Sequence, residues 1–381
     1  MTIYFDYNAT TPLDPAVREA MLPYLGEIFG NPSSIHHVGR RARALLDDAR
    51  DRVARVWRSK PSEVVFTSGG TESSNLAIFG TARLLREKGR HIITTSVEHH
   101  AVLHPCEYLR EKEGFDVTYL PVDSAGRVHV EAVRAALRPD TILVSVMAAN
   151  NEIGTLQPVA EIGALCREKG VLFHTDAVQV FGKEPFAGID QFQADLVSVC
   201  SHKFHGPKGA GALYIRSPLQ PDPVLFGGGH ENERRAGTEN LAAIIGFAAA
   251  TEKFVPEPVF PASPLRALTE RLTVLIDSLA PQGATFRGSR TERLANTVAC
   301  TVKGVDSLTL LAALDLEGVC ASSGSACSAG SLEPSHVMTA VGADADEANS
   351  LVRFSLGRES TAEEVAHVER VLPAVLTRGK L

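Results

Sequence analysis

Short apolar runs alternate along most of the chain with longer stretches in which apolar residues recur at helical spacing. The runs, bounded by glycine, proline and polar clusters, predict strands near Val64–Phe66, His91–Ser96, Val117–Leu120, Ile142–Met147, Val171–His174, Leu196–Cys200 and Ala212–Ile215, with helices between most of them. Such alternation predicts an α/β fold with a parallel central sheet. The helical stretch Leu241–Lys253 is followed by Val255-Pro-Glu-Pro-Val-Phe-Pro-Ala-Ser-Pro264, a proline-dense break that reads as the crossing into a second domain. Beyond it the pattern predicts helices near Leu265–Leu279, Ser307–Leu316 and Ala362–Leu376, and strands near Asn296–Val302 and Val352–Leu356.

Between Gly39 and Arg58, arginines interleave with apolar residues at helical spacing. This predicts an amphipathic helix with a solvated polar face, the alternative being a surface for an acidic partner protein. Composition then narrows the class. The 381 residues leave room for about two to three domains, and 44% hydrophobic with 22% charged residues is the balance of a soluble globular protein. Leu241–Ala250, the longest apolar stretch, is too short to cross a bilayer, and the N-terminus lacks a basic-then-apolar signal pattern, so a cytoplasmic protein without a membrane partner is expected. A net charge of −7 and a pI near 6.0 argue against nucleic acid as a partner.

Candidate chemistry gathers where the predicted strands end. Lys203 follows the run Leu196–Cys200 in Ser-His-Lys-Phe-His, where a lysine can form a Schiff base if the site keeps its amine partly unprotonated. Pyridoxal phosphate enzymes need such a lysine together with an aspartate for the pyridinium nitrogen, and Asp176, in His174-Thr-Asp-Ala-Val-Gln179, is the candidate. Val64-Val-Phe-Thr-Ser-Gly-Gly-Thr-Glu-Ser-Ser-Asn75 reads as a strand, a glycine turn and a helix start, which offers backbone N–H groups and the Thr71 hydroxyl to a phosphate. The spacing fits neither GxGxxG nor a P-loop. His99 follows the strand at His91 and can stack its flat ring on a cofactor, while Ala149-Asn-Asn-Glu-Ile-Gly154 brings polar groups to a further strand end. His100 and His104, four apart, superficially suggest a metal, but no HExxH arrangement accompanies them and no metal is expected. Cys106, Cys166, Cys300 and Cys320 read as structural thiols. Cys327 differs, because every residue from Ala321 to Ser331 is Ala, Ser, Gly or Cys; such a stretch packs no core and suits either a plain connector or a tethered nucleophile.

The ordered set Tyr4-Phe-Asp-Tyr-Asn-Ala-Thr-Thr-Pro12, Phe29-Gly-Asn-Pro-Ser33, Thr67–Ser73, Asn150-Asn-Glu-Ile-Gly154, the Lys203 segment, Arg235-Ala-Gly-Thr-Glu-Asn240 and Ser322-Ser-Gly-Ser-Ala-Cys327 through Ser335 resembles, nearly end to end, the cysteine desulfurases of the nitrogen-fixation and iron–sulfur-assembly type. The resemblance implies a homodimeric fold-type I (aspartate aminotransferase-like) enzyme that converts L-cysteine to L-alanine and an enzyme persulfide. It also implies a large cofactor-binding domain over 13–255 and a small α+β domain from 1–12 and 256–381, with the cysteine loop at 321–334. It gives Lys203, His99 and Cys327 catalytic roles, with pyridoxal 5'-phosphate linked to Lys203 as a Schiff base. Gly70, Thr71, His99, Asn151, Asp176, Gln179, Cys200, His202 and the partner-facing Thr238 would bind the cofactor, and Asn151 and Arg353 the substrate. The long small-residue loop resembles the group with a mobile cysteine, which implies delivery of sulfur to several acceptor proteins, such as an iron–sulfur scaffold.

One position departs from the family pattern. Cys200-Ser201 stands where Ser-Gly or Ser-Ala usually precedes His-Lys, and a thiol is a weaker donor than a hydroxyl, so the phosphate contact expected of Cys200 is weakened. Three other readings stay open on the sequence. They are a selenocysteine lyase or β-lyase that does not depend on Cys327 in the same way, a sulfur-relay scaffold that has lost its chemistry, and a nucleic-acid or nucleotide-binding module, the last disfavoured by charge and by the missing phosphate loop.

Overall fold

The computed structural model describes residues 2–324 and 334–379. The N-terminal strand β1 (Ile3–Tyr4) is followed by β2 (Val64–Thr67), β3 (His91–Thr95), β4 (Asp116–Leu120), β5 (Thr141–Ser145), β6 (Leu172–Asp176), β7 (Leu196–Cys200) and β8 (Gly211–Ile215). The last seven form one sheet in the order β2-β8-β7-β6-β5-β3-β4. Every residue of β2, β3, β5, β7 and β8 is buried, as expected of strands covered by helices on both faces.

The sheet is mainly parallel, as expected, with one strand reversed. β8 runs antiparallel to both β7 and β2, because the segment 201–210 that joins β7 to β8 holds only a short turn of 3₁₀ helix, Ser201–Lys203. A parallel return needs a crossover of a dozen or more residues, usually a helix, and a shorter connection turns the chain back on itself. The reversal sets Lys203 in a hairpin connection at the end of β7.

Beyond the helix Leu241–Phe254 the chain adds β9 (Ala284–Arg287), β10 (Thr297–Val302), β11 (Val319–Cys320) and β12 (Val352–Ser355). β12, β10 and β9 make an antiparallel sheet, and β1 pairs in parallel with β11. The short strands β1, β9 and β11 were not legible in the pattern. The helix expected from Leu265 begins earlier, at Ala262, inside the proline-dense stretch. Pro261 is its N-cap and Pro264 falls in its first turn, where a missing N–H costs no helical bond. Residues of the N-terminal segment also join this region: Tyr7 N–H donates to Ser355 O and Asn8 N–H to Ser355 Oγ.

The arginine-rich stretch is the helix His37–Trp57, whose buried face, Ala42, Leu46, Ala49, Val53 and Trp57, packs on the helix Leu241–Phe254. Its polar face is not wholly solvated, as the pattern had suggested. Arg50 is buried and forms a bidentate pair with Glu231, at 2.7 and 2.6 Å, while donating to Val64 O. Glu231 in turn accepts from Phe66 N–H, so the pair fixes the outer strand β2.

Candidate active site

Because β3, β5, β6 and β7 are mutually parallel, their carboxyl ends lie on one side of the sheet. Ligand sites of open α/β sheets form there. One cavity at this edge is lined by Gly70 and Thr71 after β2, His99 after β3, Asn151 after β5, Asp176 and Gln179 from the end of β6, Cys200, His202 and Lys203 from the end of β7, and Arg353 of β12. Ten of the twelve site residues expected from the sequence therefore meet in one place. Thr238 lies in an exposed loop away from the cavity, and Cys327 is outside the described residues.

Lys203 owes its position to the tight turn after β7. Gly206 N–H donates to Ser201 O, and a Cβ on Gly206 would overlap the Ser201 hydroxyl, so only glycine closes the turn. The Lys203 amine donates to the main-chain carbonyls of Asn8 and Ala9, both at 2.7 Å. Asp176 Oδ1 accepts from Val178 N–H at 2.9 Å. Burial nevertheless pushes its carboxyl up to about 6, against the pull of that bond and of Lys203.

His99 is the N-cap of the helix His100–Lys112, with Nδ1 accepting from Ala101 N–H at 3.1 Å. Burial first, then the Lys203 charge and neighbouring imidazoles, depresses its pKa to about 4. The ring is thus neutral at pH 7, and with Nδ1 used as an acceptor the proton sits on Nε2. His202 is likewise held down to about 4 by burial and Lys203, and its Nδ1 lies 3.1 Å from Thr10 Oγ1. Burial pushes the Cys200 thiol up, so it stays protonated and can only be a weak donor.

Asn150 builds the turn that presents Asn151. Its Oδ1 accepts from Glu152 N–H and Ile153 N–H, and its amide donates to Val97 O, which ties the ends of β3 and β5 together. Arg353 is 1% exposed. It donates through Nη1 to Asn151 O and Gly324 O, and through Nη2 to Asp6 Oδ1. Its Nε is buried without a partner among the described residues.

Three contributors escaped sequence reasoning. Asn8 O accepts from both Lys203 and Gln179 Nε2, and its side chain joins Lys183, Asn296, Thr297 and Asn151. Lys183 is fully buried and donates to Asn8 Oδ1 and Gln179 Oε1, both at 2.6 Å, with burial depressing its pKa strongly. Asp6 neutralises Arg353. Among them only Asn8 and Asp6 carried a signal, the polar interruption Asp6-Tyr-Asn-Ala-Thr-Thr directly after the apolar start.

These residues suit a phosphorylated pyridine. A buried carboxyl with raised pKa fits a protonated ring nitrogen, a lysine sits beside it, and Gly70 begins a helix packed so close to Val178 that a Cβ would lie 2.7 Å from its Cγ2.

The family model for class-V aminotransferases matches residues 3–368. The chain belongs to that family. It is 47% identical over 382 aligned positions to the cysteine desulfurase IscS of Dictyoglomus turgidum, covering 99% of this chain and 95% of the relative. Among solved structures, a NifS-like protein superposes with a TM-score of 0.89 at 37% identity, covering 99% of this chain and all of the other. SspA in complex with cysteine superposes with a TM-score of 0.82 at 36% identity, covering 94% and 100%. Within the class-V family the chain therefore groups with the cysteine desulfurases, enzymes that depend on pyridoxal 5'-phosphate.

Proposed function

We propose that this chain is a cysteine desulfurase that takes sulfur from L-cysteine, using pyridoxal 5'-phosphate held through Lys203 and leaving L-alanine and a persulfide on Cys327. The observation that carries the reading is the convergence of Lys203, Asp176, His99 and Arg353 on one cavity at the sheet's carboxyl edge. When bound, the cofactor supplies an electron sink for the carbanion at the substrate Cα.

The remaining work falls to the protein. Arg353, fixed by Asp6, Asn151 O and Gly324 O, lines the cavity and offers its guanidinium to the substrate α-carboxylate. Asp176 would keep the cofactor ring protonated, and Gly70, Thr71, His202 and Cys200 would hold its phosphate. Asn151 and Gln179, which also line the cavity, would bind its ring oxygen. Lys203 removes the Cα proton, and neutral His99 gives or takes a proton on the substrate side of the cavity. The Cys327 thiolate attacks the substrate sulfur: an S–S bond forms, the Cβ–S bond breaks, and a proton completes alanine, so that cysteine and thiol become alanine and persulfide in balance.

Thr238 would reach the phosphate of a second subunit, which would make the homodimer part of the site, and acceptor proteins such as an iron–sulfur scaffold would take the sulfur in the cytoplasm. The large and small domains divide at 13–255 and at 1–12 with 256–381. Alanine release from L-cysteine, measured oxygen-free with reductant and added cofactor, tests the central reading. It is expected to match sulfide release in the parent and to vanish in Cys327→Ser; alanine undiminished in that variant would point to another reaction.

A further inference from the structure

The turn after β5 does more than present Asn151. Its next residue, Glu152, is 2% exposed, and the bond from its N–H to Asn150 Oδ1 fixes where its side chain leaves the backbone. Glu152 Oε2 accepts a hydrogen bond from Ser335 Oγ at 2.6 Å. The same carboxylate lies against Gly324, where a Cβ would come within 3.0 Å of Oε2 and 3.2 Å of Oε1. Gly324 also has a φ of +67°, so glycine is required there for its backbone as well as for its lack of a side chain. One buried carboxylate thus touches two residues that are eleven positions apart in sequence and that bracket Cys327.

The surrounding bonds tie the same two flanks to the cavity wall. On the first side, Ser322 and Arg353 exchange main-chain hydrogen bonds at 3.2 and 2.7 Å, and Gly324 O accepts from Arg353 Nη1 at 2.9 Å. On the second, the ring of His336 donates through Nε2 to Glu98 O at 2.8 Å, next to His99. Ser335 is itself an N-cap, its hydroxyl accepting from Met338 N–H while donating to Glu152. The regular elements do not need a carboxylate at Glu152, since it caps no helix and pairs with no cation among the described residues; its polar partner is a hydroxyl beside the cysteine segment.

We propose that Glu152 is a positioning residue for sulfur transfer, holding both flanks of the Cys327 segment against the turn that carries Asn151. The proposal rests on the desulfurase reading above. Glu152 touches none of the reacting atoms, and Arg353 keeps its bonds to Asp6 and Asn151 O when the contact with Gly324 is loosened, so Glu152 acts on the step that uses Cys327 rather than on amino-acid binding.

The test uses cofactor-loaded enzyme and two readouts. Single-turnover persulfide formation on Cys327 is followed by thiol alkylation and mass spectrometry. Affinity for L-alanine, which has no sulfur to transfer, is followed by the absorbance change of the bound cofactor. Glu152→Ala and Ser335→Ala are expected to slow persulfide formation about tenfold, the loss of one charge-assisted hydrogen bond. Glu152→Gln and Ser335→Thr, which keep an acceptor and a donor, should stay within about threefold of the parent. L-alanine affinity should be unchanged in all four. Parent-like persulfide rates in both alanine variants would overturn the proposal, as would L-alanine affinity falling in step with those rates. If Glu152→Ala does not fold, the contrast between Ser335→Ala and Ser335→Thr decides the matter. A parent enzyme that forms no persulfide on Cys327 would instead bring down the desulfurase reading itself.

Discussion

Asp6 and Arg353, 347 residues apart in sequence, form an ion pair at 2.6 Å in which the guanidinium is almost wholly buried and the carboxylate mostly so. Removing one partner of such a pair leaves an uncompensated charge in the interior, at a cost of about 3 kcal/mol or more. Asp6→Ala should therefore lower the thermal midpoint of the protein. Saturating L-alanine should restore more stability to the variant than to the parent, because its carboxylate supplies the missing negative charge. Thermal scans of both proteins with and without L-alanine check this, and equal shifts would contradict it.

Asp176 links function to pH-dependent stability. Its folded carboxyl titrates near 6, above the ordinary aspartate value of 3.8, so the folded protein binds its proton more tightly than the unfolded chain. The resulting stabilisation is complete below about pH 4 and is lost as pH rises through about 6. At pH 7 the cofactor-free protein then bears the cost of a buried charge, on the order of 3 kcal/mol. Cofactor-free Asp176→Asn should resist urea better than the parent at pH 7, with the advantage fading toward pH 4, while its affinity for the cofactor falls. Urea midpoints across that range provide the check.

Cys200 offers the opposite kind of change. Its thiol is buried at the cavity edge and protonated, and a hydroxyl of nearly the same shape donates more strongly. Cys200→Ser should tighten cofactor binding by roughly threefold to tenfold, the worth of one improved hydrogen bond. Equilibrium dialysis of cofactor against the two proteins measures it.

Glu231 tests the frame of the sheet without touching the cavity. Its carboxylate receives both arms of Arg50 and the N–H of Phe66. Glu231→Ala should cost about 3–5 kcal/mol, the penalty for leaving a buried guanidinium unpaired. The expected loss shows as a lower denaturation midpoint with an unchanged slope.

The strands that carry the cavity were legible because each is a short apolar run with a polar break at its end, and the break is where a side chain can leave the sheet for a ligand. His99, Asp176 and Lys203 each sit one to four residues past such a run or at its last position. The reversal of β8 was hidden, since hydrophobic pattern gives the faces of a strand but not its direction; only the shortness of the 201–210 connection carries that information. Asn8 and Lys183 were hidden for another reason. Their value lies in partners as far away as Asn296 and Lys203, and no local spacing encodes a hydrogen bond that the fold creates between distant segments. Arg50 misled because charge within an amphipathic pattern is ordinarily solvated, and its burial depends on Glu231 arriving from far along the chain.

Asn8 also sets an order of events during synthesis. Every partner that fixes it, from Asn151 through Gln179, Lys183 and Lys203 to Asn296, Thr297 and Ser355, follows it in the chain and is made later. A nascent chain stopped short of Ser355 lacks one of the bonds that hold Asn8 in the wall of the cavity. The wall that Asn8 builds is therefore finished only once Ser355 has been made.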